Sequence, residues 1–199
     1  MASPQQLATS FTKLVQDYME YAQQVFIKPV HAALAGPASW SPPPTGRVKI
    51  NTDAHLMNGG GVSLGVVLRD AQGQIIATGV KRIQARWEVE QAEVAGVKFG
   101  MQVARRMGHV EMMVESDALT VVRSINNNIT GFSPLLLYYE DIARMKRECV
   151  FFNCSHVRRA GNTVAHLITR WNTDASEFVC SDNSPKIELI QVGGESLAQ

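Results

Sequence analysis

Val48-Lys-Ile-Asn-Thr-Asp53 is the stretch on which the fold turns. Val48, Ile50 and Thr52 alternate with Lys49, Asn51 and Asp53, which is the period of a half-buried strand, and the run ends in a carboxylate. Gly59-Gly-Gly61 turns the chain into a second strand at 62–69, and Asp70-Ala-Gln-Gly73 turns it again into a third at 75–83. The three form an antiparallel meander. The pattern then changes. Residues 88–107 are apolar nearly all round, with Val94, Val97 and Met101 beside Ala92, Phe99 and Val103, and they predict a helix covered on more than one side and stopped by Gly108. A short strand at 110–115, helices at 118–125 and from Pro134 to about 148, a strand at 150–157 and a helix from Asn162 to about 171 complete the series. A meander followed by alternating helix and strand predicts an α/β fold, a mixed sheet with helices on its faces.

Outward from this core, residues 1–35 space Leu7, Phe11, Leu14, Val15, Tyr18, Ala22 and Val25 at three to four residues, predicting an amphipathic helix that Pro29 kinks or ends. Residues 36–46, with Trp40-Ser-Pro-Pro-Pro at their centre, predict an extended linker. The domain proper is expected over 47–172, and 173–199, lacking strong periodicity, as a loose C-terminal tail. The N-terminal helix is an appendage whose default is packing on its own domain, with a protein partner as the alternative.

Composition sets the outer limits. A hydrophobic share of 45% is that of a chain able to bury a core, and a formal charge of +1 makes any basic footprint local. Arg105 with Arg106, Arg144 with Lys146 and Arg147, and Arg158 with Arg159 are such patches. The three cysteines lack the spacing of a zinc knuckle, and no secretory signal or membrane-length apolar run is present. An intracellular protein that does not enter membranes is expected, in nucleus or cytoplasm without a compact basic import run to decide.

Three acids carry the chemistry. Asp53 ends one strand, Asp117 ends another, and Glu93 is expected in the first turn of the helix between them. Neighbouring strands that end in carboxylates at one edge can bring oxygen ligands together for a hard divalent cation. Taken singly, each acid reads better as a solvated strand end or a helix N-terminal charge.

In order and spacing, Trp40-Ser-Pro-Pro-Pro, Val48-Lys-Ile-Asn-Thr-Asp53, Gly65-Val-Val-Leu-Arg-Asp70, Ala92-Glu93, Val114-Glu-Ser-Asp117 and His156-Val-Arg-Arg-Ala-Gly-Asn162-Thr-Val-Ala-His166 together resemble the plant-type ribonuclease H domain of retroelement reverse transcriptases. The resemblance implies a ribonuclease H-like three-layer fold with a five-stranded mixed sheet, three strands antiparallel and two parallel. It implies metal-assisted hydrolysis of the RNA strand of an RNA/DNA hybrid with two Mg²⁺ or Mn²⁺ ions. Asp53 would bridge both, Glu93 and Asp117 would hold the leaving-group side, and His156 would move protons or aid product release. Asn51, Asn58, Gly59, Arg158 and Asn162 are the candidates for contact with nucleic acid.

The departure from this family lies at His166, where the resemblance implies a fourth carboxylate. Imidazole removes a charge and a hard oxygen and suits Mn²⁺ better than Mg²⁺, so His166 is expected as a weaker ligand on the nucleophile side. Ala54 and Ala118 stand where a Gly and a small hydroxyl residue are usual. The alternative is a catalytically inactive module of retroelement origin that binds nucleic acid or protein. Exonucleases of similar architecture place a Glu where His55 stands, and integrase-like enzymes end their triad with Glu, whereas Glu93 is the middle member here.

Overall fold

The strand carrying Asp53 runs further than its sequence suggests. In the computed structural model, which describes residues 37, 39–171 and 175–181, β1 spans Val48–Leu56. It pairs antiparallel with β2 (Val62–Arg69) as far as Leu56 opposite Val62, and β3 (Ile75–Ile83) completes the meander. On its other side β1 runs parallel to β4 (Glu111–Ser116), and that ladder stops at Thr52 opposite Ser116. Asp53 is therefore inside a strand, at the step where the neighbouring strand has ended. The free space beyond β4, and not the end of β1, is what opens the carboxylate to its partners. β5 (Phe151–His156) lies parallel to β4 at the sheet's edge. The helix predicted over 1–35 lies outside the described residues.

Helices α1 (Val89–Arg106), α2 (Leu119–Asn126) and α3 (Pro134–Arg147) cover one face. On the other face lies α4 (Thr163–Ile168), preceded by a 3-10 turn at Arg159–Asn162 and shorter than the helix predicted from Asn162 to about 171. Every residue of β2 is buried, because Leu64, Val66 and Leu68 join the α1 side while Val67 packs with Ala165 and Ile168 of α4. A strand covered on both faces need not alternate, which explains why β2 is mostly apolar, with Ser63 and Arg69 its polar members. Among the described residues no helix is long and apolar enough to cross a membrane.

Gly65 sets how close α4 can come. It stands opposite Asp53, and a Cβ there would lie 2.7 Å from the Ala165 carbonyl oxygen and 2.8 Å from the Thr169 backbone nitrogen. Backbone cannot rotate aside, so Gly65→Ala must displace α4. The expected loss is about 1–3 kcal/mol in a urea melt; a variant as stable as wild type would show that the helix yields freely.

The sheet has six strands in the order β5-β4-β1-β2-β3-β6, not five. β6 (Glu177–Ser181) falls within the segment expected to be a loose tail and pairs antiparallel with β3. Glu177 binds Lys81 on β3 at 2.7 Å and also meets Arg106 at the end of α1, while Phe178 packs against Trp171. These partners come from other elements, so the strand's own five residues carry little periodic signal.

The proline-rich segment is laid across the sheet. Trp40 Nε1 donates to Asn51 Oδ1 at 2.9 Å, and its ring lies under the Arg69 guanidinium, 4.6 Å from the centroid. Lys49 Nζ donates to the Ser41 carbonyl at 2.6 Å and pairs with Glu115 at 2.7 Å. Asn51 Nδ2 in turn donates to Glu115 at 2.9 Å. Lys49, Asn51, Arg69 and Glu115 are all buried beneath this strap.

Candidate metal centre

One oxygen each from Asp53, Glu93 and Asp117 lies within 4.8 Å of the others. Three elements deliver them: the interior of β1, the second turn of α1, and the residue after β4. The first turn of α1 carries a different acid, Glu90, which accepts from the Tyr139 hydroxyl at 2.7 Å. Asp53 and Glu93 are buried, and Asp117 nearly so.

Holding these charges together has a visible electrostatic cost. Burial, reinforced by the neighbouring Asp53 and Asp117 carboxylates, pushes the Glu93 pKa up to about 9. Asp53 is also raised, first by burial and then by Asp117, with its bond to His166 opposing the shift. Glu93 Oε2 is buried with no hydrogen-bond partner among the described residues. A divalent cation answers both features, supplying the missing partner and the countercharge, and an all-oxygen donor set matches Mg²⁺ or Mn²⁺. The residues present fit such an ion.

Around this core the other predicted residues divide. Asn162 is buried and its Nδ2 donates to both the Thr52 carbonyl, at 2.9 Å, and Asp117 Oδ1, at 3.0 Å, tying the 3-10 turn to β1 and to the centre. His166 touches the centre through Asp53 alone, Nδ1 to Oδ2 at 2.8 Å. His156 is the last residue of β5, aligned with Ser116 just before Asp117. Asn58 and Gly59 are exposed at the β1–β2 hairpin, and Gly59, with φ +91, takes a conformation that favours glycine. Arg158 is exposed, with its backbone N–H donating to the Pro37 carbonyl at 3.2 Å. Asn51 does not serve the acidic edge. It shares a face with Asp53, but two residues earlier along β1, where the strap covers the sheet and occupies its amide.

Two residues near the centre were not foreseen as part of it. Arg159 stands 3.6 Å from Asp117 Oδ2 and reaches both ring nitrogens of His166, at 3.0 and 3.1 Å. Arg170 contacts His166 Nε2. The second was readable in principle, since residues four apart meet on a helical path.

The family model described as reverse transcriptase-like matches residues 51–172, from β1 to beyond α4, and so contains all three carboxylates and His166. The chain belongs to the reverse transcriptase-like family. No curated protein matches it. Among solved structures this family member is similar to ribonuclease H1 from the halophilic archaeon Halobacterium salinarum NRC-1, with 22% identity, TM-score 0.56, and coverage of 61% of this chain and 93% of that one. It is also similar to the N-terminal ribonuclease H domain of a Mycobacterium tuberculosis protein solved as a maltose-binding-protein fusion, with 25% identity, TM-score 0.55, and coverage of 61% and 89%. A third is a ribonuclease H1 called LC11, solved in complex with an RNA/DNA hybrid, with 22% identity, TM-score 0.54, and coverage of 61% and 92%. The fold of this reverse transcriptase-like chain is ribonuclease H-like.

Proposed function

We propose that the chain is a metal-dependent endoribonuclease acting on the RNA strand of RNA/DNA hybrids. The observation that carries this reading is the convergence of Asp53, Glu93 and Asp117 within 4.8 Å around a buried, unpartnered Glu93 oxygen. The solved relative with an RNA/DNA hybrid supports the substrate class through the shared fold. A bound Mg²⁺ or Mn²⁺ would supply an activated water and stabilise the leaving oxygen of the phosphodiester.

The chain's own groups hold and orient. Asp53, Glu93 and Asp117 are the metal ligands, and Asn162 keeps the Asp117 carboxylate turned toward β1. His166 fixes the rotamer of Asp53. His156, beside the end of β4, is the group assigned to proton movement. The exposed Asn58 and Gly59 hairpin and Arg158 are the assigned contacts with the sugar-phosphate backbones, where a hybrid's shape is read.

Cleavage of a labelled hybrid in Mg²⁺ and in Mn²⁺ tests the assignment. Wild type is expected to be slow and faster in Mn²⁺, Asp117→Asn to lose activity in both, and His166→Asp to gain activity in Mg²⁺. The second reading, a module that binds nucleic acid without turnover, is favoured by the engagement of both His166 nitrogens. Hybrid binding without cleavage in either metal would support it.

A further inference from the structure

Each carboxylate of the centre has already committed part of its bonding capacity. Asp53 Oδ2 is held by His166 at 2.8 Å. Glu93 accepts from the Ala54 backbone N–H and keeps only Oε2 without a partner. Asp117 Oδ1 takes the Asn162 amide at 3.0 Å, with Arg159 at 3.6 Å from Oδ2. One oxygen from each residue comes within 4.8 Å of the other two, a set sufficient for a single ion.

On the Asp53 side the charge changes sign. Nδ1 of His166 is turned to Asp53 and Nε2 to Arg170, so both ring nitrogens face partners other than a metal. Arg159, near both ring nitrogens, adds a second guanidinium. Arginine stays protonated and has no acceptor atom, so neither side chain can ligate a cation, and each repels one. Both are exposed at the rim. Guanidinium groups fixed beside a hydrolytic centre present paired N–H donors in the geometry that matches a phosphate.

We propose that this centre takes up one divalent cation, and that Arg159 and Arg170, held on His166, form an anion site for a backbone phosphate where a second cation would otherwise bind. The proposal rests on the metal-dependent reading above and departs from the two-ion arrangement that the sequence resemblance implies.

Titrating the full chain with Mn²⁺, with heat measured by calorimetry and free Mn²⁺ by electron paramagnetic resonance, decides the count. One ion per chain is expected for wild type and none for Glu93→Gln. Two ions in wild type would overturn this inference and leave the proposed function standing, whereas none would overturn both. His166→Asp combined with Arg170→Gln is expected to admit a second ion; a count still at one would reject the cationic cluster as the cause. For the anion site, binding of an RNA/DNA hybrid oligonucleotide is followed against salt on the Glu93→Gln background, which removes turnover. Arg159→Gln and Arg170→Gln are each expected to reduce the salt slope by about 1. Unchanged slopes in variants that melt like their parent would overturn the anion site, and no hybrid binding by the parent would count against the substrate class itself.

Discussion

Replacing Glu93 by Gln is expected to abolish hydrolysis while making the metal-free protein more stable above pH 5. The two effects share one cause. A carboxylic acid whose folded pKa of about 9 stands above its ordinary 4.5 binds its proton more tightly when folded. Its contribution to folding is fully present below about pH 4.5 and is lost progressively as the pH rises toward 9. Each unit in that window removes about 1.4 kcal/mol, so by pH 7 the accumulated loss is on the order of 3 kcal/mol. Gln keeps the shape, carries no titrating charge, and can donate to the two remaining carboxylates. Melts of the metal-free proteins should nearly coincide at pH 4.5 and separate by about 5–10 °C at pH 7–8, with the variant higher.

Metal reverses the order. Binding of Mn²⁺ must displace the Glu93 proton, so wild-type affinity is expected to rise with pH across the same window, and saturating metal should raise the wild-type melting temperature while leaving the variant unchanged. Turnover should fall by about 10³-fold or more, the scale on which losing preorganised electrostatic stabilisation acts. A variant no more stable than wild type at pH 8 would mean that Glu93 is not strained by its neighbours, and the argument for a cation built on that strain would fail.

The carboxylates could be found in the sequence because each stands beside a strong local signal: the alternation of 48–53, the apolar helix around Val94 and Val97, and the short strand before Asp117. The meander and the parallel crossovers were legible for the same reason. β6 was not, since Glu177 and Phe178 owe their places to Lys81, Arg106 and Trp171, far away in the chain. Nor was the burial of Asn51. Its alternation puts it on the same face as Asp53, but only the folded chain shows Trp40 closing over it. His166 could be recognised as a departure, yet its meaning depends on Arg159 and Arg170, whose side chains converge through the turn at Arg159–Asn162 and the end of α4. A substitution that removes a charge can be read from one position; a cluster that inverts the charge cannot.

Beneath the strap, Glu115→Gln is expected to be the most destabilising change outside the apolar core, costing about 3–5 kcal/mol. Glu115 is the one anion among Lys49, Arg69 and Glu115, all buried on the face that Trp40 covers. Burial already draws the Arg69 pKa down to about 10, with Glu115 the charge that opposes the shift. Neutralising Glu115 would leave two buried cations facing each other with no anion between them. Lys49→Met breaks the 2.7 Å pair with Glu115, but it leaves one buried cation, Arg69, and one buried anion, with the Asn51 amide still on Glu115 at 2.9 Å. It should therefore cost less, through loss of that pair and of the 2.6 Å bond to the Ser41 carbonyl, because the charges left behind still balance. Urea unfolding of the two variants gives the comparison, with Trp40 fluorescence reporting whether the strap has lifted. Equal losses would show that packing under the strap outweighs charge balance. The expected inequality would establish Glu115, two residues before Asp117, as the charge that holds the strap to the sheet.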